Sequence, residues 1–176
     1  MKKIVLTFGL IAGVILSVFM VATIPFVDRI GFDYGMVIGY STMVLAFLLV
    51  FFGIRSYREN VGGGQISFGR AFSVGILIVL IASVMYVVTW EILYYNVIPD
   101  FADKYTAHLL EKSRAAGASP EQLAAEQEKM NSMKWMLSNP LINGAVTLLE
   151  PLPVGIVLTL VSAAILRRRH KEPQTT

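Results

Sequence analysis

The chain has 176 residues, of which 55% are hydrophobic and only 15% charged, against about 25% charged in a typical soluble domain. A chain of this length cannot enclose so much apolar surface in water, so the composition excludes a soluble globular protein and points to a bilayer. The absence of cysteine excludes disulfides and thiolate chemistry, and the net charge of +3 matters less than where the charges lie.

The first apolar run, Ile4 to Phe26, carries no charge. Lys2 and Lys3 resemble the start of a signal peptide, but the run is too long and Ala22-Thr23-Ile24 is a poor cleavage site, so a retained helix is expected. Asp28 to Tyr34 then forms a short outer connection to a second uncharged run, about Gly35 to Ile54. The segment Arg55 to Arg70 reads as a loop, made flexible by Gly62-Gly63-Gly64, with Ser67 placed to cap the next helix. Its glycines are not a phosphate loop, because no Gly-Lys-Ser/Thr follows.

The third run, about Ala71 to Ile98, contains one acid, Glu91, among Trp90, Tyr94 and Tyr95, which read as an aromatic belt. Residues 99–140 are the one sizeable extramembrane piece and read as a helical hairpin. Phe101, Tyr105, Leu109 and Lys112 fall on one face of its first helix, and Gly117 ends it. Ser119-Pro120-Glu121-Gln122 starts the second helix with a cap, a proline at the first helical position and a glutamine three residues after the cap. Leu123, Met130, Met133 and Met136/Leu137 are its packing residues. Asn139-Pro140 ends it. His108 and Glu111 share a face, but neither they nor the Met stripe makes a convincing metal site.

The fourth run, about Leu141 to Leu166, also contains one acid, Glu150, followed by Pro151-Leu152-Pro153. The prolines free backbone carbonyls and predict a kink. All four runs are long enough to cross ~30 Å of hydrocarbon as helices and lack the alternation of barrel strands. An acid inside a membrane costs roughly 2.5–3.5 kcal/mol and usually faces the bundle interior. Glu91 and Glu150 lie at similar depths on consecutive antiparallel helices, so Glu91, Glu150, Pro151 and Pro153 form the candidate intramembrane polar site. The two acids are expected to face each other and share a proton or cation, or to be structural, with Glu150 bonded to a freed carbonyl or to Thr147.

Orientation follows from the basic residues. One side carries Lys2, Lys3, Arg55, Arg58, Arg70, Arg167, Arg168, Arg169 and Lys171 against Glu59 and Glu172. The other carries six basic residues against eight acids, most of them in the hairpin. The positive-inside rule puts both termini in the cytoplasm and the hairpin outside. The basic run Arg167 to Lys171 reads as a stop-transfer anchor beside anionic headgroups.

Three stretches together resemble the bacterial domain-of-unknown-function 4199 family. They are Arg55-Ser56-Tyr57-Arg58-Glu59-Asn60-Val61-Gly62-Gly63-Gly64-Gln65-Ile66-Ser67-Phe68-Gly69-Arg70-Ala71-Phe72, Pro99-Asp100-Phe101-Ala102-Asp103-Lys104-Tyr105, and Leu149-Glu150-Pro151-Leu152-Pro153-Val154-Gly155. The resemblance implies a small multi-helix membrane protein of bacteria. It transfers no activity, catalytic residue or cofactor.

The expectation is therefore an all-α membrane protein, one membrane domain over residues 1–176, with transmembrane helices at about 4–26, 35–54, 71–98 and 141–166 and an extracytoplasmic helical hairpin at about 99–140. It sits in the bacterial cytoplasmic (inner) membrane. The expected role is a non-enzymatic scaffold or accessory subunit, with the bilayer and a membrane-protein partner or further copies of itself as contacts. No cofactor, metal or nucleic acid is expected. The alternative is a small oligomeric transporter or proton/cation-conducting protein that uses Glu91 and Glu150.

Overall fold

Helices follow one another from the start of the chain. The structure, a computed structural model, describes residues 1–168. Helix α1 spans Lys2–Thr23, and a 3-10 turn at Ile24–Phe26 and a short α2 at Val27–Ile30 lead into α3, Phe32–Asn60. Helix α4 spans Phe68–Asn96. The hairpin consists of α5, Phe101–Ala115, and α6, Pro120–Leu137. The last apolar run is two helices, α7 at Pro140–Leu148 and α8 at Pro151–Leu166. The segments Lys2–Ile30, Phe32–Asn60, Phe68–Asn96 and Pro140–Leu166 are each long and apolar enough to cross a membrane. The protein is thus an all-α, multi-pass membrane protein.

Lipid is as apolar as leucine, so helices in a bilayer associate through close packing at small residues rather than through burial from water. The bundle shows this at each seam. Helices α1 and α4 run parallel: Gly9 lies against Ile81, Gly13 against Met85, and the Ser17 and Thr89 hydroxyls are hydrogen-bonded at 2.8 Å. Helix α8 is wedged between α3 and α4. There Gly75 meets Thr159, Val50 and Ile54, and Gly155 meets Val79. Phe47, Val50, Ile54, Val74, Ile78 and Val79 are fully buried around these contacts.

At the end of the bundle away from the hairpin, the backbones of Ile66 and Arg168 exchange two hydrogen bonds, and the Arg58 guanidinium donates to the Leu166 carbonyl at 3.4 Å. The three glycines here are not a loose linker. They fold a tight turn: the Gly62 amide donates to Tyr57, the Gly64 amide to Arg58, and a Cβ on Gly62 would overlap the Gln65 carbonyl. Ser67 caps α4 as expected, accepting from the Arg70 amide at 3.3 Å. Of the basic run Arg167 to Lys171, Arg169 to Lys171 lie outside the described residues.

In the hairpin, Gly117 takes φ +84° and the Ser119–Gln122 capping box is complete, with bonds of 3.3 and 2.8 Å. The expected face of α5 packs in part: Phe101 and Tyr105 lie against Phe32, whereas Lys112 is exposed. Thr106 and Leu110 are its buried residues, with Leu109 only half-buried, because α5 is held on two sides, by α6 and by the α2–α3 corner. On α6, Met130 is buried as expected, whereas Met136 is exposed.

Candidate functional site

The proline pair breaks the last span as predicted. Pro151 has no N–H to give the Thr147 carbonyl, which instead accepts from the Glu150 amide at 3.2 Å, while the Leu149 amide turns to Val146 at 3.0 Å. These tighter bonds end α7. Pro151 is fully buried and Pro153 is exposed. Beyond the break, α8 contacts both α3 and α4; before it, α7 packs on α4 and makes no comparable contact with α3. The space between α7 and α3 is a cavity of about 390 Å³.

The second halves of α1 and α4, the first half of α3, and α7 wall this cavity. Phe101 and Tyr105 of α5 and Met133 and Leu137 of α6 cover it. Most of the lining is apolar or aromatic. Among the described residues no lysine, arginine or histidine lines it, and Glu150 is its single carboxylic acid. The side chain of Glu150 is accessible, and the Tyr86 hydroxyl donates to it at 2.7 Å. Glu150 therefore takes a tyrosine partner rather than Thr147 or a freed carbonyl. Other hydroxyls in the wall serve their own helices: Thr23 bonds Phe19, Thr42 bonds Ile38, and Thr147 bonds Asn143.

Glu91 is placed elsewhere. It does not line the cavity. It lies against Gly144, where a Cβ would sit 3.6 Å from its Oε1, and that oxygen is buried without a hydrogen-bond partner among the described residues. Among the described residues no hydrogen bond joins Glu91 to Glu150, so the structure does not bring the two acids together. The physical reason is rotation. Depth along a helix is set by residue number, but Glu91 is one residue beyond Trp90, hence turned about 100° from the cavity-facing stripe of Tyr86 and Trp90.

Two site residues, Tyr86 and Asn143, carry no signal in the sequence that singles them out. Asn143 is fully buried, accepts from the Trp90 indole N–H at 3.0 Å and from Thr147 at 3.3 Å, and donates to the Leu137 carbonyl at 3.4 Å. The Tyr95 hydroxyl donates to the same carbonyl at 2.8 Å. Trp90, Tyr94 and Tyr95 are therefore not a purely outward-facing belt, although Tyr95 stays partly exposed. Trp90 and Tyr95 bind inward, and Tyr94 is buried. Together with Asn143, Trp90 and Tyr95 tie α4, α6 and α7 at the rim of the cavity.

The hairpin is pinned over the opposite rim. Phe32 inserts among Phe101, Tyr105 and His108 at ring distances of 5.2–5.7 Å. Lys104 bridges Asp28 at 2.5 Å and Asp100 at 3.0 Å, Lys112 reaches Asp33 at 2.8 Å, and Lys134 pairs with Asp103. The Lys104 ammonium holds the Asp100 carboxyl below its ordinary pKa of 3.8, and the Asp28 and Asp100 carboxylates push Lys104 above its ordinary 10.5. A depressed acid stabilises only while ionised, so its contribution is lost as pH falls through the folded value below 3.8. A raised base loses its contribution as pH rises through the folded value above 10.5. Because these groups are exposed and Phe32 packs regardless of pH, the effect is small. Spin labels on Arg29→Cys and Glu111→Cys should report an unchanged distance from pH 5 to 9. A broader distance distribution is expected well below pH 3.8.

Among curated proteins and among solved structures, nothing matches this chain. One family profile does, described as "Protein of unknown function (DUF4199)", and it matches residues 7–168. Residues 7–168 take in the last three spans, most of the first, the capped cavity and the proline break, and on that match the chain belongs to the DUF4199 family.

Proposed function

We propose that this is a non-enzymatic membrane protein that holds a hydrophobic ligand between α7 and α3, a narrower form of the transport reading. The cavity carries the proposal. Binding sites for small molecules are concave, mostly apolar and furnished with few polar groups, at volumes of roughly 300–1,000 Å³. A space of about 390 Å³ with one accessible carboxylate on its wall has that character. A two-glutamate proton path has less support, since Glu91 lies outside the lining. The clustering of lysine and arginine at the end away from the hairpin supports both termini in the cytoplasm, with the hairpin on the outer face of a bacterial inner membrane.

Gly39 lines the cavity and has nothing within 4 Å of where its Cβ would be. Gly39→Phe should therefore fill the cavity without disturbing the fold. Purified protein in detergent is expected to bind the neutral probe N-phenyl-1-naphthylamine saturably, and Gly39→Phe to weaken that binding at least tenfold. Equal binding by both proteins would refute the proposal.

The accessory-subunit role has one observation of its own. Trp135 is 75% exposed and Leu141 85% exposed where α6 meets α7. This apolar corner suits a second copy of the chain or another membrane helix. Native mass spectrometry of lipid-extracted protein should then show dimers that Trp135→Ala and Leu141→Ala dissociate; a monomer throughout would remove this role.

A further inference from the structure

We propose that the ligand of the α7–α3 cavity is a lipophilic organic cation, a protonated amine or a quaternary onium, seated with its charge at Glu150. The inference rests on the ligand-binding function proposed above and adds the chemical class.

Charge is the first ground. Among the described residues Glu150 is the one carboxylic acid in the wall, and no basic side chain faces it from α1, α3, α4, the hairpin or α7. Its hydrogen-bond partner, the Tyr86 hydroxyl, is neutral and leaves the carboxylate's charge uncompensated. In a low-dielectric wall an unpaired carboxylate is costly, and a cation brought to it recovers that energy more fully than a neutral donor would. An anion meets repulsion there and finds no partner. The same absence of basic groups in the lining argues against a phospholipid headgroup, whose phosphate would be left unmatched.

Aromatic rings are the second ground. Tyr40, Tyr86 and Trp90 line the cavity, and Phe32, Phe101 and Tyr105 line it from the hairpin side. Ring faces attract cations, and the contact strengthens when water is excluded. A carboxylate together with aromatic faces and an otherwise apolar wall is the chemistry that selects a greasy cation over a hydrophilic one.

Depth is the third. Glu150 lies about 15 Å below the hairpin end of its span, from ten residues at 1.5 Å each. A small inorganic ion would arrive there stripped of water and would meet one carboxylate. A lipophilic cation already resides among acyl chains and loses little on entry.

The test uses the full chain in detergent micelles. The protein has two tryptophans. Trp135→Phe removes the exposed one and leaves Trp90, in the cavity wall, as the reporter. Tetraphenylphosphonium and tetraphenylborate match in shape and differ in sign. The cation is expected to change Trp90 fluorescence saturably and the anion to bind at least tenfold more weakly. Glu150→Gln should erase that preference. Glu150→Asp should retain it, which separates loss of charge from loss of fold. Glu91→Gln, outside the lining, should bind as the parent does.

Equal binding of cation and anion, or a preference that survives Glu150→Gln, overturns the cation assignment while leaving a hydrophobic site intact. Binding of neither ion, together with the failure of Gly39→Phe to affect the neutral probe, would overturn the ligand-binding function itself.

Discussion

Gly75→Leu is expected to destabilise the bundle by about 3 kcal/mol or more. A Cβ at Gly75 would lie 2.6 Å from Thr159 Cγ2, 3.0 Å from Val50 Cγ1 and 3.1 Å from Ile54 Cδ1. All three neighbours are β-branched and stiff about χ1, so Thr159 Cγ2 and Val50 Cγ1 cannot swing aside. The intrusion comes from α4 towards α3 and α8 together, and relief at one seam tightens the other. Titration of the purified protein from mild detergent into sodium dodecyl sulfate, followed by far-ultraviolet circular dichroism, would measure it. Gly69→Ala is the control, because nothing lies within 4 Å of its would-be Cβ. A glycine replaced in an open helical position is neutral or stabilising by up to about 1 kcal/mol. If Gly75→Leu unfolded at the same detergent fraction as Gly69→Ala, close packing at this seam would not be what holds α8 in place.

Asn143→Leu is expected to cost about 2 kcal/mol and to loosen the hairpin selectively. Interhelical hydrogen bonds in membranes average only about 0.6 kcal/mol, because in the unfolded state the groups find other partners. Asn143 exceeds that average through number. Its removal strands the Trp90 N–H and one of the two bonds to the Leu137 carbonyl, and frees Thr147. Limited proteolysis should cut α5–α6 faster in the variant while the four spans stay protected. The double variant with Trp90→Phe should be less destabilised than the sum of the two singles, by about 0.6–1.7 kcal/mol. Full additivity would mean that the side chains act independently and that the tie is not what secures the rim.

Several features of this architecture were legible in the chain because they depend on neighbours in sequence. Four apolar runs announce four spans through length alone. Pro151 and Pro153 announce the break through a missing donor, and Ser119 with Gln122 announces a helix start through spacing. What was not legible depends on the rotation of one helix about its axis or on pairs distant in the chain. Glu91 and Glu150 share a depth, yet one faces Gly144 and the other the cavity. Asn143 reads as a tolerated polar residue in an apolar stretch, since its partners Trp90 and Tyr95 lie on another helix. The docking of α5 on the α2–α3 corner joins Lys104 to Asp28, 76 residues apart, and no periodicity within α5 reveals it. The single signal available was an inconspicuous one, two acids at 28 and 33 opposite lysines at 104 and 112.

The parallel seam between α1 and α4 has a consequence for biogenesis. Ser17 and Thr89 are 72 residues apart, so α1 enters the membrane well before its main partner has left the ribosome. Until then the Gly9–Gly13–Ser17 face of α1 looks onto lipid or onto a provisional neighbour. Helix α3 arrives first but packs α1 antiparallel, and the final seam must form by lateral docking of segments already inserted. A nascent chain arrested before residue 89 would thus present an unfinished small-residue surface, the kind of surface that membrane quality control is placed to inspect.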